Sequence, residues 1–96
     1  MWILRSSDDG ALTFRLPRGA SRTFGRARRA DFVLDAALVS RLHCRITAGE
    51  NALDIEDLSS TNGTFVNDQR VAKAHAAAGD RLRIGRVELK VEKLDD

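Results

Sequence analysis

Apolar and polar side chains alternate along much of the chain, and this period of two is typical of strands with one buried face. In the clearest case, Val87, Leu89 and Val91 oppose Glu88 and Lys90. The segments with this alternation are LTFRL (12–16), LDI (53–55), RLRI (81–84) and VELKVE (87–92). Shorter strand candidates are WILR (2–5), FVL (32–34), CRIT (44–47), TFV (64–66) and RV (70–71).

Turn-forming residues separate these segments at short intervals. The signals are Asp9-Gly10, Pro17-Arg18-Gly19, Gly49-Glu50-Asn51, Asn62-Gly63, Asn67-Asp68, Gly79-Asp80 and Gly85. Asn62-Gly63, between ALDIED and TFVN, is the strongest hairpin signal among them. Many short strands with frequent turns predict an all-β fold, an antiparallel β-sandwich or barrel.

One stretch, AKAHAAAG (72–79), has the composition of a helix. Alanine favours helix, but so short a segment is marginal in isolation, and it has no apolar stripe with which to dock. We therefore predict a loop or a single turn there.

The composition is that of one globular domain, with 96 residues of which 43% are hydrophobic and 31% charged. The formal net charge is only +2, whereas a non-specific nucleic-acid binder usually has a stronger one-sided field. Cys44 is the only cysteine, which fits a reducing compartment, so we expect an intracellular protein of the cytoplasm or nucleus. No apolar run is long enough to span a membrane.

Enzymatic chemistry finds little support in the sequence. Ser40 and His43 are three residues apart, which in a strand puts their side chains on opposite faces, and the serine is not on a nucleophile elbow. The two histidines and single cysteine have no metal-ligand spacing. No P-loop or dinucleotide fingerprint is present. We therefore expect no catalysis, no cofactor and no metal.

Anion binding is better supported, because donors suited to a dianion stand beside turn signals. They are Arg26, Ser40, Arg41, Thr61 and Asn62. A guanidinium offers a fixed fork of N–H donors that matches phosphate oxygens, and hydroxyls and amides add neutral donors. If the end loops of a sandwich cluster, these side chains converge on one site.

Four short patterns, in this order and spacing, resemble those of the forkhead-associated (FHA) domain family. They are Gly25-Arg26, Ser40-Arg41-Leu42-His43, the polar stretch 59–67 with Asn62-Gly63-Thr64 and Asn67, and GDRLRIG (79–85). The resemblance covers residues 3–94. It implies a β-sandwich of about eleven strands whose end loops bind phosphothreonine peptides, and hence a non-catalytic module that recruits phosphorylated partner proteins.

The resemblance also implies a role for each matching residue. Arg26 would be the principal phosphate ligand, with Ser40, Arg41 and Thr61 as further phosphate contacts. Asn62 would hydrogen-bond the peptide backbone beside the phosphothreonine. Gly25, His43 and Gly63 would be structural, with His43 bracing the loops and Gly63 making the turn. In this family the third residue after the phosphothreonine often sets preference, and the apolar loop DAALV (35–39) is the expected reader.

The remaining polar residues of these segments have plainer expected roles. We interpret Ser59 and Ser60 as solvated loop residues and Cys44 as a small core residue. Arg28 and Arg29 are either surface charge or a means of steering anionic peptides.

Two other functions remain open at this stage. A nucleic-acid binder would use Arg22, Arg26, Arg28 and Arg29, although four Phe, one Trp and no Tyr offer few stacking rings. A phospho-independent interaction domain would assemble through a face of the sandwich. Whichever function applies, we expect the chain to be a module cut from, or at the start of, a larger protein.

Overall fold

A computed structural model describes residues 1–7 and 12–94, which fold into eleven strands in two sheets. The first sheet has the order β2-β1-β11-β10-β7-β8 and the second β4-β3-β5-β6-β9. The strands are β1 Trp2–Ser6, β2 Thr13–Leu16, β3 Ser21–Gly25, β4 Phe32–Val33, β5 Cys44–Ala48, β6 Leu53–Asp57, β7 Thr64–Val66, β8 Gln69–Val71, β9 Lys73–Ala76, β10 Arg81–Ile84 and β11 Val87–Lys93. All neighbours are antiparallel except β3 and β4. The predicted all-β sandwich is confirmed.

The core lies between the two sheets and is built from the inward positions that the alternation predicts. Leu82 and Ile84 of β10 and Leu89 and Val91 of β11 are fully buried. The facing side chains from the second sheet are Phe24, Cys44, Ile46, Leu53, Ile55 and Ala76. No helix in the described residues is long and apolar enough to cross a membrane.

The prediction of a loop or turn over residues 72–79 is wrong for its first half, because Lys73–Ala76 form strand β9 at the edge of the second sheet. Residues 77–79 do form a turn. Its four residues pair with β6, and Ala76 is buried opposite Leu53. Ala74 and Ala76 share the inward face and Lys73 and His75 the outward one, but alanine is only weakly apolar, so the alternation is faint, and tertiary pairing overrides alanine's helix propensity. Strand β3 was also not predicted from the pattern, because its first three residues, Ser21, Arg22 and Thr23, are polar.

The hairpin prediction at Asn62-Gly63 is wrong. Strand β6 belongs to the second sheet and β7 to the first, so this segment crosses between sheets. Gly63 does adopt a left-handed conformation, with φ of 94°. The hairpin lies instead at Asn67 and Asp68, which connect β7 to β8. Both residues have positive φ values, 49° and 69°, as two-residue hairpin turns prefer.

The other turn signals mostly coincide with turns. The N–H of Ala20 donates to the carbonyl of Pro17 at 2.9 Å, and that of Asp80 to Ala77 at 3.0 Å. Gly49 closes the β5–β6 hairpin, and Gly85 lies between the paired ends of β10 and β11. The predicted turn at Asp9-Gly10 lies outside the described residues.

Candidate phosphate-binding site

Three segments meet at one end of the sandwich. Loop 3–4 comprises residues 26–31, loop 4–5 residues 34–43 and loop 6–7 residues 58–63. Turn 10–11, residues 85–86, lies beside the last two. The candidate donors all lie on these loops rather than within strands.

Arg26 follows the last residue of β3, and its side chain is held in place by loop 4–5. Its backbone N–H donates to the Ser40 carbonyl at 2.9 Å, and its side-chain Nε donates to the Val39 carbonyl at 3.1 Å. Within the described residues no carboxylate pairs with this guanidinium. The terminal N–H groups of the fork are thus available to an anion.

Gly25 allows loop 4–5 to cross directly over the end of β3. A Cβ at this position would lie 2.0 Å from the Arg41 carbonyl oxygen and 2.9 Å from the Leu42 Cα. That carbonyl accepts a hydrogen bond from Ala27 at 3.1 Å. Any side chain at position 25 would therefore push away the backbone that carries Ser40 and Arg41.

Ser40 and Thr61 are joined across two loops. The backbone N–H of Thr61 donates to Ser40 Oγ at 3.1 Å. Because the Ser40 hydroxyl acts as the acceptor there, its own proton remains for a further acceptor. Loop 6–7 is thus docked on loop 4–5 at the point where both present hydroxyl groups.

His43 braces these loops from beneath and is completely buried. Its Nδ1 accepts from the backbone N–H of Ser40 at 3.0 Å, and its Nε2 lies 2.8 Å from the Gly63 carbonyl oxygen. Since a backbone N–H only donates and a carbonyl only accepts, the ring is neutral with its proton on Nε2. One side chain thereby fixes both the Ser40 loop and the Asn62-Gly63 segment.

Asn62 is exposed, and its side chain reaches back to loop 4–5. Its Nδ2 donates to the Leu38 carbonyl at 3.2 Å. Leu38 has a φ of 69°, and its own carbonyl sits over Gly85, where a Cβ would approach within 2.5 Å. The Asn62 amide therefore borders the apolar residues of loop 4–5.

A buried polar network supports loop 6–7, and the sequence interpretation missed it. The Asp57 carboxylate accepts from the Ser60 hydroxyl at 2.5 Å, from the Ser60 N–H at 3.0 Å and from the Thr64 hydroxyl at 2.7 Å. The Ser60 hydroxyl in turn accepts from the Gly63 N–H at 3.0 Å. Ser60 is 8% exposed, so its interpretation as a solvated loop residue is wrong. The D-x-x-S spacing, typical of a side chain that closes its own turn, was the available signal.

The same network sets the ionisation of Asp57. Burial alone raises the pKa of a carboxyl, but the hydrogen bonds from Ser60 and Thr64 outweigh it and hold the pKa of Asp57 below its ordinary value. The carboxylate is therefore ionised near neutral pH. Ser59 precedes the network, exposed and in a left-handed conformation with φ of 58°.

These loops enclose an open cavity of about 460 Å³. It is lined by Arg26, Ser40, Thr61, Asn62 and residues 35–39. One end thus carries a guanidinium and two hydroxyls, whereas the other is mostly apolar with the single carboxylate of Asp35. Arg41 is exposed and is not among the lining residues.

The remaining candidates lie outside this cavity. Arg28 and Arg29 are exposed on loop 3–4, and Arg22 donates to the carbonyl of Ser21 at 3.0 Å. Cys44 is fully buried, and its burial, with the nearby Asp57 charge, raises the pKa of its thiol to about 12. The thiol is a core group, as predicted. In the described residues no group of His, Cys, Asp and Glu side chains has the arrangement of a metal site.

Known proteins are similar to this chain in both fold and sequence. The sequence model of the FHA domain matches residues 22–85. The ABC transporter ATP-binding/permease protein Rv1747 of Mycobacterium tuberculosis is 43% identical over 89 residues, which are 93% of this chain and 10% of that protein. The chain spans 16% of the length of M. tuberculosis FhaA. It is thus short compared with these relatives.

Solved structures give the same result. A domain from a structural and functional study of phosphothreonine-dependent FHA domain interactions superposes with a TM-score of 0.87 at 35% identity, covering 99% of this chain and 98% of that one. The FhaA FHA domain, solved with the intracellular domain of Rv3910, superposes with a TM-score of 0.85 at 36% identity over 96% of this chain and 100% of that domain. The chain belongs to the FHA domain family of phosphothreonine-dependent interaction modules.

Proposed function

We propose that the cavity at the loop end of the sandwich binds a phosphothreonine residue of a partner protein, through Arg26, Ser40, Thr61 and Asn62. The observation that supports this most strongly is that these four side chains, from three separate loops, line one cavity. None of the lining residues other than Asp35 carries a negative charge. The cavity is therefore suited to a dianion held by one guanidinium and neutral donors.

The phosphate occupies the cationic end of the cavity. Arg26 donates its terminal N–H groups to two phosphate oxygens, because its Nε is already engaged by the Val39 carbonyl. Ser40 donates its hydroxyl proton, since its oxygen already accepts from Thr61. The Thr61 hydroxyl completes the set. Arg41 stands outside the cavity, and its long side chain supplies a second cation at the rim.

The peptide backbone lies along Asn62. In the free protein the amide of Asn62 donates to the Leu38 carbonyl, which is exposed on the same rim. An amide has both donors and an acceptor, so it can bind a peptide group in addition to, or instead of, Leu38. This contact fixes the register of the peptide relative to the phosphothreonine.

Residues 35–39 read the third residue after the phosphothreonine. The side chains there are largely apolar, and that of Leu38 is 43% exposed. An exposed leucine on a binding rim gains by covering its apolar surface, so we expect an apolar residue at this position of the partner. The Asp35 carboxylate disfavours an acidic residue there.

The energies suit a reversible switch. The phosphate carries about −1.5 to −2 charges at neutral pH. Hydrogen bonds to charged groups contribute about 1.5–3 kcal/mol each, so a few of them supply a large part of the roughly 8 kcal/mol that a micromolar complex requires. Removal of the phosphate therefore removes most of the affinity. Binding therefore depends on whether a kinase has phosphorylated the partner and a phosphatase has not yet removed the phosphate.

The chain acts as a non-catalytic module, residues 1–96, that recruits its phosphorylated partner to whatever protein contains it. The relatives are themselves long proteins of which this chain matches one part. The FhaA domain was solved with another protein's intracellular domain, which supports a protein rather than a nucleic acid as the partner. The low net charge of +2 agrees with this choice.

A degenerate phosphothreonine peptide library tests the proposal. Selected peptides are titrated in three forms, with phosphothreonine, threonine and phosphoserine. We expect binding of the phosphothreonine form only, with an apolar residue enriched at the third following position. Equal binding of all three forms would rule out the proposed function, and tight, steeply salt-dependent binding of DNA would favour the nucleic-acid alternative.

A further inference from the structure

A cluster of arginines outside the cavity lies where loop 6–7 meets turn 10–11. We call Arg70, Arg83 and Arg86 the basic corner. Arg70 packs against Gly63, where a Cβ would lie 2.9 Å from its Nε. The N–H of Gly85, next to Arg86, lies 3.4 Å from the Gly63 carbonyl. The side chain of Arg70 and the backbone next to Arg86 therefore both lie beside Gly63.

Arg83 joins this corner through an aromatic ring. Arg70, Phe65 and Arg83 occupy paired positions on β8, β7 and β10. The Arg83 Cζ lies 3.9 Å from the centroid of the Phe65 ring, and the edge of that ring also faces Gly63. A guanidinium stacked on a ring is held flat, with its N–H donors directed sideways toward incoming groups.

The basic corner lacks carboxylate partners within the described part of the chain. The nearby carboxylates of Asp68 and Glu88 both pair with Arg81, at 2.8 Å and 3.8 Å. No ion pair or hydrogen bond is formed by the side chains of Arg70, Arg83 or Arg86 within residues 1–7 and 12–94. Arg70 and Arg86 are thus left to an external anion, whereas Arg83 lies on the Phe65 ring with Glu88 as its cross-strand neighbour.

The corner lies beside the part of the cavity that residues 35–39 line. Leu38, in the segment that reads the third residue after the phosphothreonine, has its carbonyl directly over Gly85. A peptide that continues from this position toward Gly85 would pass over turn 10–11 and come within reach of the basic corner. This step rests on the proposed function.

We propose that the basic corner binds acidic side chains of the phosphorylated partner, located beyond the third residue after the phosphothreonine. Charge complementarity and continuity with the cavity support a carboxylate-rich stretch of the same polypeptide. The apolar contact at residues 35–39 and the acidic contact at the corner then divide the sequence after the phosphothreonine into two separately recognised parts. Such exposed charges raise the association rate as well as the affinity.

Four peptides of matched length provide the test. Two carry phosphothreonine and two carry threonine at the same position. In one peptide of each pair, the fourth to sixth residues after that position are glutamates, and in the other they are glycines. At low salt we expect the glutamates to strengthen binding of the phosphopeptide about tenfold, because each exposed pair contributes modestly and three act together. Higher salt should reduce this advantage.

Arginine variants then assign the effect to the corner. Arg70→Ala and Arg86→Ala should each weaken the glutamate-tailed phosphopeptide about two- to fivefold and leave the glycine-tailed one unchanged. Arg15→Ala is the control, because Arg15 is an exposed cation on β2, at the far edge of the same sheet.

The possible failures are distinguishable. Equal affinities of the two phosphopeptides, or an advantage that survives in Arg70→Ala/Arg86→Ala, would overturn the basic-corner proposal while leaving phosphothreonine binding intact. No effect of phosphate on either tail would instead overturn the proposed function and this inference with it. DNA binding that Arg70→Ala removes, with no preference for the acidic tail, would assign the corner to nucleic acid.

Discussion

The backbone N–H of Ser40 donates to Nδ1 of His43 at 3.0 Å, so the residue with the proposed phosphate-binding hydroxyl is positioned by a completely buried histidine. The opposite ring nitrogen lies 2.8 Å from the Gly63 carbonyl oxygen. The two loops that would hold the phosphate and the peptide backbone thus share one rigid support.

Replacement of His43 by alanine should therefore reduce both stability and binding. Two buried backbone groups lose their partners, which costs about 1–3 kcal/mol each. We expect an unfolding free energy lower by about 3 kcal/mol in urea denaturation, and weaker phosphopeptide binding at temperatures where the variant remains folded.

The exposed His75 offers the matched control for this substitution. Its ring pairs with Asp54 at 2.6 Å on the open face of the second sheet, and exposed pairs contribute little. His75→Ala should leave binding unchanged and alter stability by less than about 1 kcal/mol. A stability loss as small for His43→Ala would contradict the bracing role of His43.

Gly25→Ala should disrupt the site through backbone displacement. The added methyl group would meet the Arg41 carbonyl oxygen at 2.0 Å, so loop 4–5 must move away from β3 and carry Ser40 with it. We expect loss of phosphopeptide binding, measured by calorimetry, together with a lower thermal midpoint.

Gly79→Ala separates this displacement from simple backbone strain. Gly79 has a φ of 94° but open space around its Cα, so alanine there should cost about 1–2 kcal/mol of stability. Phosphopeptide binding by Gly79→Ala should remain intact, because Gly79 lies on the turn between β9 and β10 and does not line the cavity. Unimpaired binding by Gly25→Ala would show that the close crossing of loop 4–5 is not required.

Asp57 should make stability depend on pH in the acidic range. Its pKa is lowered in the folded protein, so its contribution to stability is present above the ordinary carboxyl pKa. That contribution is lost as the pH falls through the lowered value. Urea denaturation of the native chain and of Asp57→Asn between about pH 5 and pH 2 measures this effect.

The variant should be about 2 kcal/mol less stable near neutral pH, because an amide cannot accept all the hydrogen bonds from Ser60 and Thr64. Its stability should also decline less steeply in acid than that of the native chain. Parallel pH profiles for the two proteins would contradict the assignment of Asp57 as an ionised support of loop 6–7.

Cys44 should resist thiol reagents in the folded protein. Burial raises the pKa of its thiol to about 12, so the reactive thiolate is scarce and enclosed near neutral pH. Reaction with a disulfide reagent should be slow in buffer and fast in urea. Rapid reaction of the native protein would show that the β5 end of the core opens readily.

Much of the fold can be predicted from local patterns, because apolar and polar residues alternate in strands that have one solvent-exposed face. Val87, Leu89 and Val91 are an example, and Leu82 and Ile84 another. Strand β9 alternates only faintly, because its two inward residues are alanines, which are weakly apolar and favour helix, and its identity depends on pairing with distant β6. Asn62-Gly63 has the local chemistry of a hairpin, yet its flanking strands enter different sheets, which only the tertiary fold determines.

The residues of the site likewise divide into those that the sequence predicts and those that it does not. Residue types suited to a dianion, in a spaced motif, predict one group of donors, and all of them except Arg41 line one cavity. The group is Arg26, Ser40, Arg41, Thr61 and Asn62. Ser60 was misread, because its neighbours are exposed and its hydrogen bonds to Asp57 appear only when loop 6–7 closes. The basic corner was missed because its arginines come from two strands and a turn, and Arg70 precedes Arg83 by 13 residues.

A cycle that combines removal of the phosphate with Arg26→Ala tests the central claim most directly. One peptide, with and without phosphate on its threonine, is titrated by calorimetry into the native chain and the variant, whose thermal midpoint should be nearly unchanged because Arg26 is exposed. We predict that phosphate strengthens binding about a hundredfold or more in the native chain and hardly at all in Arg26→Ala. An equal effect of phosphate in both proteins would contradict the assignment of the cavity as the phosphothreonine site.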